Sequence, residues 1–319
     1  MKRQAAHLAT IATVERETGL SADTLRVWER RYGFPAPARD HNGERVYPDE
    51  QVEKLRVIRR LIDRGLRPGK LVGASLDELS ARIDGMSQAS APAGDIDLMR
   101  ETLKLLQSNL IEDLRRLLSS TLLRLGLQRF VVEFLGPMNV AVGDAWARGE
   151  LAVSEEHLYT EQIQYLVRQA IGSVSELRQQ PSVLLTTLPG EEHQLGLLMA
   201  QACLTVEGAR CVSLGVQTPA SEIPRAARAH AVDVVGLSFS QAMKAQTACA
   251  MLADLRERLD PAIDIWAGGS IWQRNRKGVP GVTMIASLTD IPAAVAARRA
   301  LPPAVNARSV IRFDGGHSG

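Results

Sequence analysis

The hydrophobic and polar positions of this chain follow different patterns from one end to the other. Apolar residues recur at helical spacing over roughly the first 80 residues, and they do so again from 96 to 177. From residue 182 onward, short apolar runs typical of buried strands alternate with helical patterns. This change of period predicts two helical regions followed by an α/β region.

The first region has the pattern of a winged helix-turn-helix. Helices are predicted over 11–18 and 22–32, because Gly19 suits the left-handed end of the first and Ser21 can cap the second. A polar hairpin follows, and its Asn-Gly pair at 42–43 predicts a two-residue turn. A third amphipathic helix begins just after Pro48.

A stretch of small residues over 85–94 has no periodicity and predicts a linker. Beyond it, breaks near Leu110, Gly126 and Gly149 separate four predicted helices, the pattern of a four-helix bundle. The expected domains are a winged helix-turn-helix over 1–80, a linker over 81–95, the bundle over 96–180, an α/β domain over 181–302 and a flexible tail over 303–319.

The α/β region predicts a flavodoxin-like, doubly wound parallel sheet. Strands are predicted over 183–187, 211–214, 232–238, 263–267 and 282–285. Helical patterns beginning near 195, 221, 241 and 291 separate them. Ligands of such sheets bind at the carboxyl ends of the strands. Loops at that edge are therefore the first place to look for chemistry.

Composition and charge narrow the class of protein. The chain is 45% hydrophobic and 23% charged, as expected of a globular protein with a core, and no apolar run approaches the ~18 residues of a membrane span. The three cysteines lack metal-site spacing, so reduced thiols in the cytoplasm are expected. Residues 1–75 carry 15 Lys and Arg against 10 Asp and Glu, whereas the whole chain has a net charge of only +2. This basic end indicates a nucleic-acid partner.

Three loops at predicted strand ends carry distinctive residues. Glu191-x-His193-x-x-Gly196 follows the first strand, Ser238 ends the third, and a Gly-Gly pair at 268–269 follows the fourth. An imidazole nitrogen can bind a metal while a carboxylate two residues earlier accepts the proton of the other nitrogen. Each signal is weak alone, but their order at successive strand ends indicates one site.

These loops resemble those of cobalamin-binding domains, whose motif is Asp-x-His-x-x-Gly. Glu191 stands in the Asp position, and Ser240 stands where Leu is usual. The resemblance implies that His193 is the lower axial ligand of cobalt, that Ser238 meets the displaced nucleotide tail and that the glycine pair leaves room for the benzimidazole. The implied cofactor-binding residues in this domain are Glu191, Glu192, Gly196, Ser238, Gly268 and Gly269, with His193 as the metal ligand.

The N-terminal run Leu-Arg-Val-Trp-Glu-Arg-Arg-Tyr-Gly, followed by the wing, resembles the MerR family of transcriptional regulators over about 80 residues. The resemblance implies binding to double-stranded promoter DNA. The implied DNA-binding residues are Thr24, Arg26, Arg30, Arg31 and Tyr32 on the second helix, and Arg39, Arg45 and Tyr47 on the wing. A solvated helix face is the alternative reading of the helix arginines, and Trp28 is expected in the small core.

In the bundle, Trp146 is followed by Val153 and then by Glu156-His157. This spacing resembles the cap motif of adenosylcobalamin-dependent regulators of the CarH/LitR class. By that resemblance, Trp146 covers the upper face of the corrin, Glu156 and His157 line the pocket of the adenosyl group, and the small Val153 leaves room for it. Ala147 stands where photosensing members carry a histidine that captures cobalt.

The sequence thus predicts a cytoplasmic repressor that binds cobalamin, with adenosylcobalamin favoured, and that acts on DNA as a homo-oligomer, a dimer or a tetramer. No enzymatic activity is expected. One alternative is a cofactor-independent regulator whose corrinoid fold is vestigial. Another is a corrinoid enzyme subunit or methyl carrier, which leaves the basic N-terminal module unexplained. Light and cobalamin level both remain open as the signal.

Overall fold

The computed structural model describes residues 8–88, 96–174, 179–241, 243–273 and 278–302. The chain divides into two compact units, with the boundary between Arg168 and Gln169. The predicted tail over 303–319 and the last part of the predicted linker lie outside the described residues.

The first unit begins with the helix-turn-helix and its wing. Its elements are β1 (Leu8–Thr10), α1 (Ile11–Thr18), α2 (Ala22–Tyr32), β2 (Ala38–Arg39), β3 (Arg45–Pro48), α3 (Asp49–Asp63) and α4 (Leu76–Gln88). The predicted caps are confirmed: Gly19 ends α1 with a φ of 65°, and the Ser21 hydroxyl accepts a hydrogen bond from the Thr24 N–H of α2 at 3.2 Å. Trp28 is buried in the core of this module, as predicted.

The wing is an antiparallel hairpin in which Arg39 pairs with Arg45. The predicted two-residue turn is wrong, because the Gly43 N–H donates to the Asp40 carbonyl and the Asp40 N–H donates to the Glu44 carbonyl, which leaves a three-residue loop. The Asp40 carboxylate favours the longer loop by accepting the N–H groups of both Asn42 and Glu44. Gly43, with a φ of 79°, completes it.

The predicted start of the linker at residue 81 is also wrong, because α4 continues to Gln88. Leu79 and Ile83 of α4 are fully buried in the same core as Leu55, Ile58 and Leu61 of α3. Burial of these side chains stabilises the helix, by about 1.5–3 kcal/mol each, and outweighs the low helix propensity of the small residues that follow.

The predicted bundle helices follow, and the last of them ends a few residues beyond the boundary at Arg168. They are α5 (Ile96–Gln107), α6 (Ile111–Leu125), α7 (Leu127–Arg129), a π-helical segment (Phe130–Leu135), α8 (Gly136–Ala147) and α9 (Val153–Ser173). The predicted breaks near Leu110, Gly126 and Gly149 are confirmed by these bounds. The π-helical segment joins α7 to α8, and its two phenylalanines are fully buried.

The second unit is a doubly wound α/β domain. Its elements are β4 (Gln179–Thr186), α10 (Gln194–Val206), β5 (Ala209–Gly215), α11 (Ile223–Ala229), β6 (Val234–Ser238), α12 (Ala245–Arg258), β7 (Asp264–Gly268), β8 (Val282–Ile285) and α13 (Ile291–Arg299). All paired strands are parallel, in the order β5-β4-β6-β7-β8. This is the flavodoxin-like order predicted from the sequence. It places the ends of β4, β6 and β7 side by side.

Candidate functional site

The loop between β4 and α10 holds an imidazole in place through a buried carboxylate. The Nδ1 atom of His193 lies 2.6 Å from Oε1 of Glu191, and the same oxygen accepts the His193 N–H at 3.1 Å. Glu191 is only 1% exposed, whereas the His193 side chain is 54% exposed. A buried acceptor therefore orients a ring whose outer edge faces solvent.

A third residue, Ser240, completes this cluster from the loop after β6. Its N–H donates to Oε2 of Glu191 at 2.6 Å, and its Oγ lies 3.0 Å from Nδ1 of His193. Both oxygens of Glu191 are thus engaged. The two loops meet because β4 and β6 are neighbours in the sheet.

The charge on Glu191 decides the tautomer of His193. Burial alone would raise the pKa of Glu191, but hydrogen bonds from the His193 ring and the Ser240 N–H, together with attraction to the imidazole, hold that pKa below its usual range. A carboxylate only accepts hydrogen bonds, so Nδ1 of a neutral His193 carries the proton. The lone pair of that tautomer is on Nε2, the nitrogen that can coordinate a metal.

Glycines allow neighbouring segments to pack closely beside this cluster. A Cβ on Gly196 would lie 3.0 Å from Oγ of Ser238, so this glycine allows α10 to approach the end of β6. A Cβ on Gly269 would lie 2.0 Å from the Phe239 carbonyl oxygen. The structure therefore corrects the reason predicted for Gly269: it is required by close packing against Phe239, with or without a benzimidazole. At Gly268 a Cβ would make only ordinary contacts, the nearest at 3.5 Å.

The remaining predicted residue of this loop, Glu192, is exposed and accepts a hydrogen bond from Nε2 of Gln217 at 3.3 Å. Gln217 belongs to the loop after β5 and also approaches the Gly190 N–H. Glu192 thus lies at the same edge of the sheet as His193.

The predicted cap residues lie at the end of α8 and the beginning of α9. Trp146 and Val153 are partly buried, and the His157 side chain is 72% exposed. Nδ1 of His157 lies 2.8 Å from Oε2 of Glu156, whose other oxygen accepts a hydrogen bond from Thr160 at 2.9 Å. Glu156 and His157 therefore form one preorganised polar pair on α9.

Ala147, which replaces the expected cobalt-capturing histidine, is fully buried. It belongs to the core of the winged helix-turn-helix, and Trp146 packs against the same core. A histidine at this position would place a polar ring among apolar side chains, so the alanine suits its surroundings here.

The predicted DNA-binding residues on α2 form an exposed basic face. Arg26, Arg30, Arg31 and Tyr32 are exposed, and Thr24 is partly buried at the capped end of the helix. Arg26 pairs with Asp23 at 2.9 Å, and the Arg31 guanidinium lies 5.3 Å from the centroid of the Tyr32 ring. These contacts are at the surface, so they leave the arginines accessible to an anionic partner.

The wing contains one exposed and two internally engaged residues. Arg39 is exposed and donates to the Gly43 carbonyl, and Arg45 forms an ion pair with Glu29 of α2 at 2.8 Å. Tyr47 is fully buried, and its hydroxyl has no hydrogen-bond partner. The predicted phosphate contact of Tyr47 is therefore wrong in this conformation, because its position opposite Ala9 of β1 turns the ring into the core.

Comparison with known proteins shows the family and the domains of this chain. Residues 9–72 match the family model of the MerR HTH family regulatory protein, and two models of the B12 binding domain match residues 98–170 and 181–287. The chain is 31% identical to the HTH-type transcriptional repressor CarH of Myxococcus xanthus over 79% of its own length and 85% of the relative's. It is 32% identical to the repressor CarA of the same organism, over 76% of this chain and 81% of that one.

The chain belongs to the MerR-family regulators with B12-binding domains. It is a DNA-binding, cobalamin-binding regulator, as predicted, and its closely matching relatives are regulators rather than enzymes.

The fold of the cobalamin-binding part recurs in a solved structure. The monomethylamine corrinoid protein of Methanosarcina barkeri superposes with a TM-score of 0.50 at 13% identity, covering 65% of this chain and all of the other. At this identity the likeness concerns the fold alone.

In the part of the chain that the structure describes, no helix combines the length and apolar character needed to cross a membrane.

The residues around His193 fit a corrinoid. Within the described ranges, no group of three or more His, Cys, Asp or Glu side chains could hold a metal ion by itself. A cobalt ion in a corrin ring needs only axial ligands from a protein, and an oriented imidazole that presents Nε2 is such a ligand. Glu191 orients that ring, and Gly268, at the end of β7, presents backbone without a side chain.

Two features of the structure were not predicted as functional. Ser240 was noted only as a departure from the usual leucine, although it completes the Glu191–His193 cluster. Asp144 was not singled out, yet it is 1% exposed and pairs with Arg60 of α3 and with Arg64, which caps that helix. The spacing of those arginines, four residues apart on one helix face, was the available signal.

Proposed function

We propose that this chain is a transcriptional repressor that uses adenosylcobalamin as its effector, with His193 as the lower axial ligand of cobalt. The observation that carries the proposal is the engagement of both Glu191 oxygens by His193 and Ser240. This arrangement keeps Nδ1 protonated and orients the ring. The names of the repressors CarH and CarA support a repressor role.

For the upper ligand we propose selection by Trp146, Val153, Glu156 and His157. The Glu156–His157 pair offers hydrogen bonds that an adenosyl group can use and a methyl group cannot. Adenosylcobalamin should therefore bind more tightly than methylcobalamin, and Glu156→Ala should narrow the difference. Equal affinity of the parent protein for both cofactors would contradict this selection.

We propose that the signal includes light. Bound adenosylcobalamin would supply a light-sensitive cobalt–carbon bond, and Trp146, Glu156 and His157 would be the residues whose contacts with the adenosyl group depend on that bond. A ligand shifts a conformational equilibrium only through its differential affinity for the two states, and these contacts supply that difference. Because position 147 is a buried alanine, no second histidine ligand comes from that position.

On DNA, α2 should enter the major groove and the wing should meet the phosphate backbone. We propose that the cytoplasmic chain does so as a homo-oligomer, a dimer or a tetramer, on a repeated promoter site. The proposed contacts are Thr24, Arg26, Arg30, Arg31 and Tyr32 from α2, with Arg39 and Arg45 from the wing.

The deciding experiment combines visible spectroscopy with gel mobility on promoter DNA. Adenosylcobalamin should co-elute with the protein in gel filtration, and His193→Ala should lose the cofactor. The loaded protein should bind DNA in the dark and release it after illumination. A parent protein that binds DNA identically with and without cofactor would support a cofactor-independent regulator instead.

A further inference from the structure

A buried ion cluster joins the winged helix-turn-helix to the helix that carries Trp146. Asp144 of α8 pairs with Nε of Arg60, in the last turn of α3, at 2.8 Å and with the guanidinium of Arg64, the residue that caps the C-terminal end of α3. The Asp144 side chain is 2% exposed, and those of Arg60 and Arg64 are 17% and 11% exposed. One carboxylate thus holds two arginines that lie about 80 residues earlier in the chain.

The backbone of α8 is shaped to receive Arg60. Its guanidinium also donates to the Val140 carbonyl at 2.7 Å, and a Cβ on Gly143 would lie 2.6 Å from its central carbon. Arg60 therefore lies across α8 at Gly143, where the helix has no side chain. Any larger residue at 143 would displace it.

One turn further along α8, Ala147 is buried in the core of the winged helix-turn-helix, and Trp146 packs against that core. Asp144 and Ala147 share one helix face, because residues three apart are neighbours on a helix surface. The DNA-binding module is thus attached to α8 twice, by charge at Asp144 and by apolar packing at Ala147. Trp146 lies between these two attachments in the sequence.

We infer that α8 couples the effector site to DNA binding, with Asp144, Arg60 and Arg64 as positioning residues. The inference rests on the proposed function, since it takes Trp146 as a contact of the upper cobalt ligand. A shift of α8 at Trp146 moves the anchor of α3, and α3 shares one core with α2. The cluster favours movement as a unit, because separating either arginine from Asp144 would break a largely buried ion pair.

The principal test is Asp144→Asn in the full-length protein. Asp113→Asn is the matched control, since Asp113 is an Asp on a neighbouring helix that pairs with Arg116 at the surface. Three quantities are measured: the Kd for adenosylcobalamin from its visible spectrum, the Kd for promoter DNA with and without cofactor, and amide hydrogen exchange in α3 and α8.

Asp144→Asn should keep the cobalamin Kd within about threefold of the parent value. It should lower the cofactor-induced change in DNA affinity at least tenfold and increase exchange in α3 and α8. Asp113→Asn should behave as the parent. A variant that binds cobalamin and retains the full cofactor effect on DNA would overturn the inference, as would parental exchange in both helices.

Gly143→Ala provides a second variant that keeps all three charges. The added methyl should displace the guanidinium of Arg60, at the far end of its side chain, while the fold stays intact. The cofactor-induced change in DNA affinity should then fall several-fold. If Asp144→Asn fails to fold, a parental cofactor effect in Gly143→Ala overturns the inference. If the parent protein binds no cobalamin, the proposed function fails, and the exchange measurement alone decides whether the cluster holds the two helices together.

Discussion

The Glu191–His193 cluster makes a quantitative prediction for Glu191→Gln. The carboxylate accepts three hydrogen bonds, two from His193 on Oε1 and one from the Ser240 N–H on Oε2. A glutamine of the same size offers only one acceptor atom. If its oxygen faces His193, its NH2 group meets the Ser240 N–H, and two donors then face each other at a distance of about 2.6 Å in the parent geometry.

The cost follows from these contacts. A hydrogen bond to a charged group contributes about 1.5–3 kcal/mol, and the bond to Ser240 is lost outright. The two bonds to His193 become bonds to a neutral acceptor and lose about half of their strength. These losses sum to about 3–6 kcal/mol, and replacing the buried negative charge by a neutral amide recovers part of the sum, so we expect the free energy of unfolding to fall by about 2–3 kcal/mol. The affinity for cobalamin should fall by about 10- to 100-fold, the usual effect of removing a partner that orients a metal-bound histidine.

The assay is a titration with cobalamin followed by its visible spectrum, together with urea unfolding of the cofactor-free protein. Glu257→Gln is the matched control. Glu257 is exposed near the C-terminal end of α12, whereas Ser240 precedes the N-terminal end of that helix, so this substitution should change neither quantity. A Glu191→Gln protein that binds cobalamin within twofold of the parent would refute the orienting role of the carboxylate. Unchanged urea stability would refute the hydrogen-bond accounting.

Three further outcomes follow from single residues. Tyr47→Phe should leave the free energy of unfolding unchanged or raise it by up to about 1 kcal/mol in calorimetry, because the removed hydroxyl is buried without a hydrogen-bond partner. Weakened DNA binding by this variant would instead show that Tyr47 contacts DNA. Gly269→Ala should lower the free energy of unfolding, measured in urea, by about 2–5 kcal/mol, because the new Cβ would lie 2.0 Å from the Phe239 carbonyl oxygen and a φ of 114° is strained for alanine. A loss below about 1 kcal/mol would contradict this packing. Arg26→Ala should cost about 1–3 kcal/mol of DNA binding with relaxed sequence preference, whereas equal weakening on all DNA would identify a phosphate contact.

Local signals were sufficient for much of the fold and for the central part of the site. Gly19 and Ser21 act on backbone groups within four residues of themselves, so helix ends could be predicted without knowledge of the remaining chain. The alternation of strands and helices likewise predicted the sheet. Glu191 and His193 are two residues apart in one loop, and so the pair could be recognised before any tertiary contact was known.

Contacts between distant segments decided the remainder. Ser240 joins Glu191 from 49 residues away, and Arg60 reaches Asp144 across 84. The resemblance to MerR regulators implied that Tyr47 contacts DNA, but pairing of β3 with β1 turns its ring into the core. Glu191 and Asp144 are buried carboxylates, which are costly to leave unpaired, whereas Tyr47 is placed by the packing of its ring alone. That free-energy cost cannot be read from the spacing of residues along the chain, so the attachment of the DNA-binding module to α8 could be recognised only from the tertiary structure.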